Sequence, residues 1–530
     1  MCYFALFVTI DDSLTKQSIM LLDQARYLAG EYTLSDRSVP LIHPLYSAIT
    51  ALFHFGNGQE SWVNCARWIS LVSGLLTVLL AWAWVRQIDS PRASWAVVLF
   101  LITNPLILQY STAVMAEIVG VLYFTCVMVC VWQTKHEKYW WIWSSLSGLA
   151  VGLFAVARAD GAGMLLFALP PTVASIYITS RSWRRAVIGV GSLLIASTIV
   201  IFPYALQLYP HNGGISLYKD IKYEPVASVM LRVPNSVWEH ISTQEHGTIA
   251  PNGRSVGIKE IDNVSEKITY TIREYFVLLM QFDREMVTKT TGTILLLFLG
   301  VGLIPYRTVR TNSNSVLYLV YFCVFTIVGS MIVFAAYNWE GWLVRRYIYL
   351  VPPVCILAAI GFNRAVMLIS ERLSESFSIQ RKLTDSIVTI VLVGVFLTVQ
   401  APSTYWHTRT LHENSVPPTV WKEAGAFLAT EFDNDHLVFA ADDVFVPFFA
   451  DGWYVPFRDE RVLRGKITEF DVDFVTVSGT PNGSWHKGMD SFLNPADAPD
   501  YLEHVKTFGD PNTFQVVVYR PRSTIDNAAD

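Results

Sequence analysis

Residues 140–185 read WWIWSSLSGLAVGLFAVARADGAGMLLFALPPTVASIYITSRSWRR, and this stretch decides the fold. Two apolar runs, 139–157 and 161–180, each have about the 20 residues a helix needs to cross the hydrocarbon core of a bilayer. The corner between them, Val156-Ala-Arg-Ala-Asp-Gly161, holds one cation and one anion. The next corner, Arg181-Ser-Trp-Arg-Arg185, holds three cations and no acid. Cytoplasmic loops carry the excess of Lys and Arg, so the second corner lies inside and the first outside.

Working outward, apolar segments of spanning length recur near 64–85, 92–109, 112–133, 185–207, 288–305, 315–336, 345–367 and 384–400. With the first two they make ten. Residues 1–10 are apolar but too short to span, and lack the basic start and small-residue cleavage site of a signal peptide. They read as the remainder of a clipped first helix, for about eleven spans. The composition agrees: of 530 residues 52% are hydrophobic and 16% charged, with a mean hydropathy of +0.37, too apolar for a soluble chain of this length. A net charge of -5 and a pI near 6.1 give no basic field, so nucleic acid is excluded as a partner. The six cysteines lie in or at the ends of apolar segments without CxxC spacing and read as small core residues.

The cations sort onto every second turn: Arg86 and Arg92; Lys135 and Lys138; Arg181, Arg184 and Arg185; Arg307 and Arg310; Arg364, Arg372, Arg381 and Lys382. These turns are inside. Residues 11–63, the turn at 109–112, the corner at 157–161, segment 208–287, the corner at 337–346 and the tail 401–530 are then outside. The expected fold is a polytopic α-helical membrane protein with a membrane-embedded domain over 1–400 and an extracytoplasmic domain over 401–530. In 11–63, Ile19, Leu22, Ala25, Arg26 and Ala29 follow helical spacing, and Leu45–Phe55 is apolar but short, so two helices lying along the outer leaflet are expected. Segment 208–287 mixes aromatic, charged and apolar residues and reads as an outer cap loop. From about residue 415 the composition turns soluble. A helix at Thr419–Thr430 and strands near Leu437–Ala440, Asp473–Val477 and Phe514–Tyr519 predict a small α/β domain.

The outer side also holds charges that a membrane does not keep without partners. Glu117 stands near the outer end of segment 112–133, where an ionisable residue either snorkels to the surface or lines an outward-facing cavity. Arg158 and Asp160 share the outer corner: the guanidinium either pairs with Asp160 or lipid head groups, or grips a phosphate through its fork of N–H donors. Arg345-Arg346-Tyr347 opens a span from the same side and points to a bound anion. His43-Pro-Leu-Tyr46 reads as a Pro-started helix with an aromatic anchor. His43 has no partner at metal-ligand spacing.

Taken in order, these pieces resemble the membrane-embedded GT-C glycosyltransferases that use polyprenyl-phosphate sugars, the group of the lipid A aminoarabinose transferase and the protein O-mannosyltransferases. Ala25-Arg-Tyr-Leu-Ala-Gly30 is similar to the family's A-x-x-L-x-x-G, His43-Pro-Leu-Tyr46 to its P-P-L-Y, and Ala66-Arg67 to the Arg opening the next span. Glu117 is similar to its S-E acid, Ala157-Arg-Ala-Asp-Gly161 to its T-R-P-x-G turn, and Arg346-Tyr347-Ile-Tyr-Leu-Val-Pro352 to its R-Y-L-L-P-x-x-P. The likeness covers about residues 17–365. In one place the chain departs from the pattern, since Gln17 stands where the family carries an essential Asp. Asp11 and Asp12 lie five or six residues earlier and Asp23 is the other nearby acid, so either Asp11 or Asp12 is the base or the chain is an impaired paralogue.

The resemblance implies a multi-pass plasma- or inner-membrane glycosyltransferase. Its donor is a polyprenyl-phosphate (undecaprenyl or dolichyl) monosaccharide and its acceptor a protein, lipid or glycan, met at the extracytoplasmic face with inversion at the anomeric carbon. Catalysis falls to Asp11 or Asp12 as base with Glu117 as its partner. The donor phosphate falls to Arg158 and Arg346 with Arg345; Asp160, His43, Tyr46 and Tyr347 support. A divalent ion, Mg or Mn, is compatible with this, with Asp12 and Glu117 as its ligands. The other classes are a lipid-sugar flippase or transporter, which favours paired repeats and broken midplane helices, and an O-antigen ligase or polymerase, which gathers its Arg and His residues in one large outer loop. The expectation that separates them is convergence of Asp11 or Asp12, Glu117, Arg158 and Arg346 on one outer-leaflet cavity.

Overall fold

The structure is a computed structural model. It describes residues 16–31, 44–136, 138–158, 160–212, 298, 300–301, 313–337, 348–377, 380–414, 418–432, 437–457, 460–480, 483–484 and 489–522. Residues 1–10, the cap segment 213–287 and most of the expected span at 288–305 lie outside them. The described residues fall into two compact units, one of 67–212 and 298–411, the other of 16–66 and 412–522. Residues 16–66 group with 412–522.

The first unit is all helical. Helix α3 (Gln59–Ile88), which begins in the other unit, is followed by α4 (Pro91–Ile102), α5 (Pro105–Thr112), α6 (Glu117–Gln133), α7 (Trp140–Ala157), α8 (Asp160–Ser180) and α9 (Trp183–Asn212). Then come α10 (Ser313–Tyr337), a 3-10 turn at Ile348–Leu350, α11 (Val351–Phe377) and α12 (Arg381–Asn414). Among the described residues six helices are long and apolar enough to cross a membrane, or seven if α4 and α5 form one bent span. Their outward faces are apolar: Leu79, Trp95, Leu166, Ile195, Ile199 and Ile390 are exposed, as lipid-facing residues must be. The chain is an integral membrane protein.

The expected continuous span at 92–109 needs correction. Asn104 caps α5 by accepting from the Leu106 and Ile107 amides, Pro105 occupies the first helical position, and the axis bends by 61°. The freed carbonyl of Thr103 accepts from Gln400 Nε2 at 2.8 Å and Thr404 Oγ1 at 3.0 Å on α12. The outer turn expected at 109–112 is helical as well. The connection is 113–116, all of it buried, so the next helix starts at Glu117 rather than at 112.

Contacts across this unit agree with the alternation of charges. Residues assigned inside meet one another: Gln87 accepts from Gln133, Arg92 pairs with Asp385 at 3.1 Å, and Asn363 donates to Asp89 at 3.0 Å. At the end assigned outside, Arg67, near the start of its span, donates to the carbonyl of Thr112 in the expected outer turn. Phe100 of α4 packs against Phe362 and Phe396 of α11 and α12. Helices α7 and α9 approach through small residues, so closely that a Cβ on Gly148 would stand 2.1 Å from the Leu193 carbonyl oxygen.

In the second unit, α1 (Lys16–Leu28) and α2 (Pro44–Phe53) are the two helices expected in the first outer segment. Ser47 joins them, donating to the Leu21 carbonyl at 2.8 Å. The tail forms α13 (Pro418–Glu431), β1 (Val438–Ala441), α14 (Phe445–Phe449), β2 (Trp453–Pro456), α15 (Glu460–Phe470), β3 (Phe474–Thr480), β4 (Gly483–Ser484), β5 (Leu502–Asp510) and β6 (Phe514–Pro521). The sheet order is β2-β1-β3-β6-β5 with β4 beside β3; β2-β1-β3 is parallel and the rest antiparallel. Trp421 of α13 stacks on Phe445 at 4.1 Å and donates to Ser478. This is the expected α/β domain with β2, β4 and β5 added.

The close packing of α7 on α9 predicts that Gly148→Leu lowers the stability of the detergent-solubilised protein by about 2 kcal/mol or more, the usual cost of overpacking. Thermal unfolding measures it. An unchanged midpoint contradicts the contact.

Candidate active site

Glu117 is the first residue of α6 and fully buried. A carboxylate at a helix N-terminus gains from the macrodipole, but that is a small return for a charge removed from water, which needs an opposite charge in contact. Arg158 supplies it: Nη1 lies 2.7 Å from Glu117 Oε1, and the Arg158 side chain is only 5% exposed. Glu117 therefore does not snorkel to the surface, and Arg158 reaches across to α6. Asp160 opens α8 and its side chain lies outside what the structure describes.

The local chain path explains how the pair forms. Arg158 is the C-cap of α7, with extended backbone (φ -158, ψ 138), and its amide donates to the Phe154 carbonyl at 2.7 Å. The chain reverses at once, because Gly161 lies against the Phe154 and Ala155 backbone, where a Cβ would come within 2.5 Å of three backbone atoms. On α6, Glu117, Gly120 and Phe124 share one face by the i, i+3, i+7 spacing. The absence of a side chain at Gly120 admits Phe154 and the Tyr349 hydroxyl, which would lie 2.7 Å from a Cβ there. Phe124, Phe154 and Tyr349 pack edge to face or tilted, at centroid distances of 5.1 to 6.4 Å. The ion pair thus stands over an aromatic floor, in surroundings that strengthen any electrostatic interaction compared with water.

Two contributors were not singled out as site residues. Arg67, noted only as the residue opening a span, is buried and donates from Nε to the Thr112 carbonyl at 3.1 Å, fixing the end of α5 just before the 113–116 link. Tyr349 lies in the motif that carries Arg346, two residues beyond Tyr347, and its ring is buried. Its signal was an aromatic in a short apolar run, which looks the same as ordinary core.

Of the other expected site residues, Asp11, Asp12, His43, Arg345, Arg346 and Tyr347 lie outside the described residues. Tyr46 is fully buried, and its hydroxyl donates to the Ala66 carbonyl at 2.7 Å, an anchor between α2 and α3. Asp23 is buried in α1. Arg26, on the same helix, pairs with Glu31 and, at 3.0 Å, with Asp451 of the tail domain. Burial opposes the charge of Arg26, but Asp451 and Glu31 hold its pKa above the ordinary value. Glu31 also accepts from Trp62 Nε1 at 2.7 Å, and His54 stacks on the Trp62 ring at 3.5 Å. Burial pushes the His54 pKa down, which favours the neutral ring.

Of the two residues assigned to a divalent ion, Asp12 lies outside the described residues and Glu117 faces a guanidinium. Among the described residues no group of three His, Cys, Asp or Glu side chains gathers.

If Glu117 and Arg158 neutralise each other in this site, Arg158→Met alone leaves a buried carboxylate and costs about 3–5 kcal/mol, while adding Glu117→Leu restores most of the loss. Unfolding of the two variants in detergent tests this. Equal destabilisation by both would show that the charges are not coupled.

No protein-family model matches the chain, and none of the curated proteins matches it in sequence. Solved structures do. ArnT from Cupriavidus metallidurans bound to undecaprenyl phosphate superposes with a TM-score of 0.54 at 12% identity, covering 99% of this chain and 97% of ArnT. Its apo state gives 0.54 at 13% identity, over 98% and 96%. The apo oligosaccharyltransferase of Archaeoglobus fulgidus gives 0.50 at 11% identity, over 96% of this chain and 70% of that one. At such identities the likeness is one of fold, and along nearly its whole length the chain has the GT-C fold.

Proposed function

We propose that this protein is a membrane glycosyltransferase that takes a sugar from a polyprenyl-phosphate monosaccharide and passes it to a protein, lipid or glycan acceptor at the extracytoplasmic face. The observation that carries this reading is the buried Glu117–Arg158 pair at the end of α6 and α7 assigned outside, within a fold shared with a transferase solved with undecaprenyl phosphate bound.

The chemistry asks little of the protein. The acceptor hydroxyl attacks the anomeric carbon, the bond from that carbon to the phosphate oxygen breaks, and the polyprenyl phosphate leaves with the electron pair. The proton passes to a carboxylate, assigned from sequence to Asp11 or Asp12. Attack opposite the leaving group inverts the anomeric centre. Arg158 is suited to the departing phosphate because its planar fork matches two phosphate oxygens and its charge is held in a water-poor site. Glu117 keeps that guanidinium oriented while no phosphate is present, and becomes its competitor when one arrives. Arg346 and Arg345 are assigned to the same phosphate from sequence, with Asp160, His43 and Tyr347 in support.

Membranes containing the protein, incubated with labelled polyprenyl-phosphate sugars, are expected to move label onto an acceptor. Arg158→Ala should lower that transfer by about a hundredfold or more, the scale for loss of one group stabilising developing charge, and Glu117→Gln, which takes the orienting partner from Arg158, should lower it as well. Wild-type transfer in both variants contradicts the site; lipid-sugar redistribution without transfer favours a flippase.

A further inference from the structure

In the tail domain, Gln515 of β6 lies between two glycines. Its cross-strand partners are Gly479 of β3 on one side and Gly509 of β5 on the other, so no side chain flanks it on either neighbouring strand. Over this bare patch of sheet stands a 3-10 turn, Asp490–Leu493, whose Leu493 methyls come so close to Gly479 that a Cβ there would lie 2.4 Å from one of them. Beside the turn opens a cleft of about 570 Å³, lined by Gln515, Asp490, Leu493 and their neighbours, all of them in the tail domain. That volume lies in the range of small-molecule sites.

The cleft presents oxygens that lack donors. Gln515 is only 8% exposed, and its Nε2 donates to the Leu493 carbonyl at 2.9 Å, which fixes the orientation of the amide. Anchoring Leu493 accounts for Nε2 but not for Oε1, to which no described residue donates. Asp490 is placed in a similar way. Its Oδ1 accepts from the Ser484 amide at 2.7 Å, and Gly483, at φ +118, makes room for it, since a Cβ there would stand 2.7 Å from that oxygen. No described residue donates to Oδ2. The hydroxyls of Thr480 and Thr507 add polar groups, and Leu493 and Pro511 supply apolar surface.

This inventory selects a ligand. Amide and carboxylate oxygens without donors call for a molecule rich in O–H groups. Asp490 is the one charge among the described residues lining the cleft, with no Lys or Arg beside it, which disfavours phosphate, sulfate or an acidic glycan. A sugar ring brings both hydroxyl donors and C–H faces that suit Leu493 and Pro511. We infer that the tail domain carries a binding site for a neutral sugar residue, held by Gln515 Oε1 and the Asp490 carboxylate. The use of that site to dock a glycan acceptor rests on the glycosyltransferase reading; the sugar binding itself does not.

The test uses the full chain in lipid nanodiscs, where no detergent sugar head group competes. Saturation-transfer NMR reads the binding of neutral gluco-, manno- and galacto-oligosaccharides, with oligogalacturonate and inorganic phosphate as the contrasting probes. At least one neutral oligosaccharide is expected to bind, and neither acidic probe. Asp490→Asn keeps an oxygen for the Ser484 amide but turns the open acceptor into a donor, and Gln515→Leu removes the amide. Each should weaken sugar binding about fivefold or more, the scale of one lost hydrogen bond. If Gln515→Leu fails to fold, Asp490→Asn decides alone. No binding of any neutral oligosaccharide, wild-type binding in the variants, or a preference for the acidic probes overturns the site. In the transfer assay with a glycan acceptor, Asp490→Asn should raise the KM for that acceptor about fivefold while kcat and the donor KM stay within about twofold, as for a group that only binds. An unchanged acceptor KM overturns the docking role. Sugar binding that depends on Asp490, in a protein that transfers from no donor, upholds the site and places the failure in the glycosyltransferase reading.

Discussion

Everything chemical in the membrane unit depends on one constraint: a charge buried near hydrocarbon must meet its opposite. Glu117 and Arg158 satisfy it together, and the need to bring them into contact shapes what surrounds them. Helix α6 begins at Glu117, α7 ends one residue before Arg158, Gly161 turns the chain back at once, and Gly120 lets an aromatic floor close underneath. A guanidinium so held is already desolvated and oriented, which removes much of the cost of gripping a phosphate. An anionic ligand would then enter by exchange with Glu117 rather than by pulling Arg158 out of water.

Much of the fold was legible because membrane insertion writes it in charges. The alternation of Lys and Arg predicted two ends, and the polar contacts pair residues within each end: Arg92 with Asp385 and Asn363 with Asp89 on one side, Arg67 with Thr112 and Arg158 with Glu117 on the other. Interruptions were read less well. The Asn104-Pro105 pair is a recognised breaker signal, but the apolar run continues through it, and hydropathy alone does not see a 61° bend. In the tail, β2 holds only Trp453–Pro456, and β5 is an edge strand rich in charged and polar residues that takes its place from pairing with β6. Neither carries an alternating pattern of its own.

The site was legible as a set of residues and not as a set of partners. Arg158 was seen to be out of place on the outer side, but its nearest acid in sequence, Asp160, is not the carboxylate that Nη1 meets at 2.7 Å. The carboxylate it meets lies on a different helix and is found only through the packing of α6 on α7. The same holds for Arg26, whose partner Asp451 lies far along the chain. Tyr349 and Gly120 gave no chemical signal, because what they do is admit one another.

The proposed exchange of partners at Arg158 has a sign that a purely structural ion pair does not share. Equilibrium binding of a sugar-free polyprenyl phosphate to the purified full-length protein measures it. The account predicts that Arg158→Ala weakens binding by about tenfold or more, the worth of one charge-assisted contact, while Glu117→Gln, which removes the competing anion, leaves it equal or tighter. Binding that is indifferent to Arg158, or that falls equally in both variants, would contradict it.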